Sequence, residues 1–293
     1  MISLRRRLAA WMARRPSAAG YSLLAPGLVW LTAFFVIPVA LMLGYSIRER
    51  GLYGGVAPGI TFEHYRRFFE PLYLEVLGRT IGWAVACTVV CLALGYPVAY
   101  LIARARRWRQ VLLFLVVLPF WTSFLVRMFA MIFLLRDTGF VNAVLLELGM
   151  VREPLQLLYT PFAVLLGLVY GFLPLMILPI YASLEKLDDS VLEAAEVLGA
   201  GAGARFTKVI LPLSMPGVVA GCLLTFIPAL GSFVPSDLLG GAKQVMIGNL
   251  IQNQFSAARN WPFGSAAAFV VMALVLVAVL GYLRRRDARE VLG

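Results

Sequence analysis

Histidine is almost absent from these 293 residues, cysteine is scarce, and charge is thin. The single histidine, His64, lies outside the long apolar stretches, so imidazole acid–base chemistry and a histidine metal centre lack material. Of the three cysteines, Cys87 and Cys91 stand four apart in one apolar run and Cys222 lies in another. They read as small apolar helix residues, because a metal site needs further ligands nearby. No G-x-x-x-x-G-K-[ST] loop occurs, so the chain carries no nucleotide-phosphate cradle of its own. Charged residues are 14% of the chain, against about 25% in soluble domains. What is present instead is hydrophobic, at 61%. Water cannot be the solvent for most of such a surface, and the expected class is an all-α membrane protein.

The formal net charge is +11, from 26 Lys and Arg against 15 Asp and Glu. These cations flank apolar runs, which fits an anionic membrane-lipid leaflet rather than nucleic acid. A helix needs about 20 apolar residues to cross the hydrocarbon. Six segments qualify, at about 21–47, 78–103, 111–135, 160–184, 212–235 and 264–283. The first follows a basic region (Arg5, Arg6, Arg7, Arg14, Arg15) but is too long for a signal-peptide core of about 7–15 residues. It reads as an uncleaved span. Arg and Lys favour the side holding the N-terminus, Arg104–Arg109, Lys186, Arg205, Lys208 and the tail from Arg284. By the positive-inside rule both termini are cytoplasmic. The expected organisation is a cytoplasmic basic N-terminus over 1–20, a transmembrane domain over 21–283 and a cytoplasmic basic tail over 284–293.

Gly78/Gly82, Gly167/Gly171 and Gly217/Gly221 have the spacing that lets helices approach closely. Pro26, Pro38, Pro97, Pro119, Pro174 and Pro179 are expected to bend their helices. No internal repeat is evident, which argues mildly against a secondary carrier built of repeated halves. Such an ion-coupled carrier also needs ionisable groups within its spans, and only Arg127 lies plainly inside one. Three fates are open to Arg127: snorkelling outward, pairing with Asp137 or another carboxylate, or contact with a partner subunit. Each is a structural or gating duty.

The connection over about 185–211, between the fourth and fifth spans, carries strong local signals. Ser190 and Glu193 are spaced as a capping box, and Asp188 and Asp189 suit the positive end of a helix. Val191, Ala194, Ala195 and Leu198 form an apolar stripe, and Gly199 is placed to end the helix in left-handed conformation. A second short helix over about 202–210 leads to Pro212 in the first turn of the fifth span. A helix this short needs a partner. Physics alone allows either a docking protein or the bilayer surface.

Glu193-Ala194-Ala195, then Gly199, then Val209, Leu211 and Pro212 resemble the EAA signature of type I ABC importer permeases, with Val209 where isoleucine is usual. The resemblance implies the six-span permease fold in a bacterial inner membrane. It also implies that Glu193 contacts an ATPase or caps the coupling helix, that Ala194 and Ala195 permit close approach, and that Gly199 makes the turn. Pro212 then leads force into the fifth span, and Val209 and Leu211 complete the coupling set. Partners implied are two copies of a cytoplasmic ATPase holding ATP and Mg, a second related permease subunit and an extracytoplasmic binding protein. The chain itself is expected to be no enzyme and to bind no cofactor or metal.

Further stretches resemble the spermidine/putrescine branch: Pro119-Phe120-Trp121-Thr122-Ser123 with Arg127, Pro154–Tyr159, Gly231–Pro235, Gly248–Gln252 and Asn260-Trp261-Pro262. Ser232 stands where that branch often has an acidic residue. Polyamines are chains of ammonium groups, recognised by carboxylates and aromatic faces. The expected path residues are Phe120, Trp121, Tyr170, Phe226, Phe233 and Asp237, against ordinary packing for the rings and a loop cap for Asp237. Ferric iron or a small anion is the alternative cargo.

Overall fold

The computed structural model describes residues 16–105 and 107–291. Arg5, Arg6, Arg7, Arg14, Arg15 and Arg106, which entered the orientation argument, lie outside the described residues. Among the described residues, six helical stretches are long and apolar enough to cross a membrane: Leu24–Ser46, Pro71–Arg104, Phe124–Glu147, Pro161–Leu184, Ala202–Gly231 and Trp261–Tyr282. The described residues divide into two compact units, those up to Phe68 together with those from Gln254 onward, and those of Phe69–Asn253.

In the first unit α1 (Pro16–Leu31) passes through a π-helical turn, Thr32–Val36, into α2 (Ile37–Ser46). Pro38 follows that turn, where a wider helical turn accommodates its ring. A short hairpin, β1 (Arg48–Arg50) and β2 (Val56–Ile60), pairs antiparallel and leads to α3 (Glu63–Phe68). This hairpin departs from an all-helical plan. Gly54 and Gly55 close it with φ of 91° and 77°, conformations that favour glycine. The last helix, α14 (Trp261–Val291), packs on α2, α3 and β1. The Gly55 amide donates to the Arg259 carbonyl at 2.8 Å, and His64 Nε2 bonds the Arg48 carbonyl at 2.9 Å. The lone histidine thus fastens a loop.

The second unit contains α4 (Pro71–Arg104), α5 (Arg109–Val117), α6 (Phe124–Leu135), α7 (Phe140–Glu147) and α8 (Pro161–Leu184). It continues with α9 (Asp189–Val197), α10 (Ala202–Arg205), a π-helical turn Phe206–Ile210, α11 (Leu211–Gly231) and α12 (Val234–Gly240), and then runs into α13 (Ile247–Phe255). The core is α8, which packs against both α4 and α11. A buried bond between Tyr96 Oη and Ser214 Oγ, 2.9 Å, joins α4 to α11. A Cβ added at Gly217 would meet the carbonyl oxygen of Pro179, and one at Gly221 would lie 2.9 Å from Met176 Sδ. Gly167 and Gly171 are equally tight, against Leu239 and Phe124. Gly78 and Gly82 instead face open space within the chain, so the first glycine pair makes no contact here.

Two span boundaries differ from expectation. The stretch 111–135 is not one helix: α5 tightens into a 3-10 turn at Leu118–Trp121, Thr122 and Ser123 are extended, and α6 starts afresh. Pro119 lacks the amide that would continue the α-helical ladder. The fifth span likewise stops at Gly231, because Ser232 is extended and Pro235 sits in the first turn of α12.

Candidate functional site

Between α8 and α11 the chain builds a helix–turn–helix. The cap of α9 is Asp188, whose carboxylate accepts the Ser190 amide at 3.0 Å, rather than Ser190 itself. Two aspartates preceding Ser190 move the helix start forward, and Glu193 is left exposed instead of closing a capping box. Hydrogen bonds from the Ser190 amide and side chain hold the Asp188 carboxyl below its ordinary pKa. At the other end Ala200 N–H bonds the Ala195 carbonyl and Gly199 N–H bonds the Glu196 carbonyl, a complete Schellman motif. Gly199 supplies its left-handed residue at φ 80°.

Leu192 and Ile210 are buried and anchor this element. Val197 and Leu198, at its tip, are 88% and 86% exposed. Glu193, Ala194 and Pro212 are exposed, while Ala195, Val209 and Leu211 are half-buried. Three ion pairs brace the element: Arg104–Asp189 at 3.5 Å, Arg109–Glu185 at 2.9 Å and Arg205–Glu196 at 2.7 Å. Each is solvent-exposed and contributes about 0–1 kcal/mol, so they orient more than they stabilise. A polar cavity of about 540 Å³ opens beside them, lined by Tyr100, Arg104, Asp189, Glu193, Glu196 and Arg205.

A second constellation lies well inside the apolar region. Arg127, in the first turns of α6, is only 7% exposed, so it does not snorkel. It forms no ion pair with Asp137 either. Its guanidinium carbon stands 5.5 Å from the Phe120 ring centroid, 5.4 Å from Phe124 and 5.7 Å from Tyr170. Nε and Nη1 are buried without hydrogen-bond partners. Each ring contact is worth about 0.5–2 kcal/mol. Phe124 is held in turn by Phe172, stacked at 6.0 Å, and by Gly171, which has no side chain to obstruct it. Tyr170 lies about 14 Å along α8 from Pro161 and about 21 Å from Leu184, near mid-depth of a crossing helix.

The expected path residues therefore separate. Phe120 and Tyr170 meet around Arg127, and Phe124, which the sequence did not single out, completes the box. Trp121 points elsewhere, 72% exposed and edge-on to Phe114 at 5.3 Å. Phe226 is half-buried on α11. Phe233 precedes α12 and accepts the Asn249 side-chain amide at 3.1 Å, and Asp237 is exposed in the first turn of that helix.

Residues 92–289 match the family described as binding-protein-dependent transport system inner membrane component. The chain belongs to that family. It is 44% identical over 256 residues to the spermidine/putrescine transport system permease protein PotB of Haemophilus influenzae, covering 87% of this chain and 90% of that one. It is also 44% identical over 252 residues to the protein of that name in Escherichia coli, covering 85% and 92%. The fold is shared with a chain of a bacterial alginate ABC transporter, solved in complex with an alginate pentasaccharide-bound periplasmic protein. There the TM-score is 0.68 at 20% identity, over 96% of this chain and 98% of that one. The permease is thus a multi-pass protein of the inner membrane, with an ABC importer permease fold.

Proposed function

We propose that this chain is one permease subunit of an ATP-driven importer of putrescine and spermidine. The observation that carries the substrate is the 44% identity, across most of both chains, to permeases named for those two polyamines. A mid-depth box of aromatic rings that already holds a cation supports it. The α9 element serves as the coupling helix: Leu192 anchors it, Gly199 turns it, and Val197 and Leu198 enter a groove on a cytoplasmic ATPase. Glu193 contacts that ATPase, and Val209, Leu211 and Pro212 carry the motion into α11. ATP and Mg reside on two ATPase copies, a second related permease completes the path, and an extracytoplasmic binding protein delivers cargo.

Uptake of labelled putrescine and spermidine, in cells with and without this gene and lacking other polyamine importers, tests the reading. Uptake should depend on the gene and be competed by unlabelled polyamines, not by ferric iron or thiosulfate. Gene-independent uptake would discard the substrate.

A further inference from the structure

The Arg127 box has an anomaly that its role as a packing centre does not explain. A guanidinium has five N–H donors, and this one is buried with Nε and Nη1 unmatched, held only by ring faces. Burial of a charge is tolerated where acceptors compensate it, and here rings stand in their place. One wall, by contrast, is built firmly. Phe124 is pinned by Phe172 and by the clearance at Gly171, so this wall does not depend on Arg127 for its position. Phe120 and Tyr170 are partly exposed, 40% and 38%, so the box has an accessible edge.

We propose that Phe120, Phe124 and Tyr170 form a subsite for one ammonium group of the cargo, and that Arg127 is a tethered cation filling it between transport events. A second cation is excluded while Arg127 is seated, because two like charges in a water-poor site repel strongly. Once Arg127 swings out to water or to an acceptor, its N–H groups gain the partners they lack. The vacated faces then attract a cationic group of similar size. The exchange replaces one positive charge by another, so the box is never left empty and its charge never doubles. This inference rests on the polyamine reading for its cargo, but its geometry stands on Arg127 and the rings alone.

The test uses the assembled importer in nanodiscs, without binding protein or nucleotide, and two probes: labelled putrescine and tetramethylammonium. Arg127→Gln and Arg127→Met should bind both at least tenfold more tightly than wild type, and adding Tyr170→Leu should return binding to the wild-type level. In the otherwise wild-type complex, Tyr170→Leu should raise the KM for uptake about tenfold while Tyr170→Phe, which keeps the ring, leaves it near normal. Assembled Arg127 variants that bind neither probe better than wild type overturn the subsite. If those variants fail to assemble, an unchanged KM in Tyr170→Leu overturns it instead. Gain of tetramethylammonium binding without putrescine binding supports the box and discards the polyamine.

Discussion

Gly217 and Gly78 show how one residue type serves two situations. A Cβ at Gly217 meets the Pro179 carbonyl oxygen and the Ser183 side chain, whereas at Gly78 it meets nothing within the chain. Forcing a side chain into a packed contact costs about 1–3 kcal/mol or more. Gly217→Val should lower the melting temperature of the purified subunit, and Gly78→Val should leave it unchanged, as thermal unfolding in detergent would report. Equal melting temperatures would remove the tight α8–α11 contact. Both glycines looked alike in sequence, since G-x-x-x-G spacing says that a helix can be approached but not by what. Arg127 was legible as unusual, and its surroundings were not. Phe124 shares a helix face with Arg127 at i,i+3, but Phe120 lies across the break and Tyr170 comes from another helix, so no local spacing brings all three rings together.

At the scale of elements, the turn at Gly199 concentrates several demands in one residue. Its φ of 80° disfavours other residue types, and the neighbouring Val197 and Leu198 stand free for a partner. Gly199→Asp should abolish uptake while the amount of inserted protein stays normal, and Gly199→Asn should retain part of it, because asparagine tolerates the left-handed region. Normal uptake by the aspartate variant would show that α9 is not the coupling helix. The helix–glycine–helix pattern was readable because caps act over four or five residues. Its start was read two residues late, because Asp188 and Ser190 both qualify as caps and only the backbone shows which one accepts a bond. The break at Leu118–Ser123 was half visible. Pro119 announces a bend, but the extended pair after it has no sequence mark of its own.

For the whole molecule, six hydrophobic stretches were enough to reveal the class, because lipid imposes its length and polarity on every crossing helix. How the helices sort into two units was not legible, since apolar faces of similar composition carry no addresses. The orientation inferred from Lys and Arg has a direct check. Green fluorescent protein fused to either terminus should fluoresce, while alkaline phosphatase fused in the loop after β2 should be active. Reversed results would turn the chain over and place the Gly199 turn on the wrong side for an ATPase. The pairing of α2 with α14 has a further meaning, one that concerns how the protein is made. Ribosomes add about 5–20 residues per second, so α2, complete at Ser46, waits on the order of tens of seconds for a partner that begins at Trp261. Through nearly all of synthesis α2 lacks its long helical partner and has only the nearby hairpin and α3, joined through Ser46 and Tyr65, so a nascent chain released early leaves its apolar face for quality-control proteases to find.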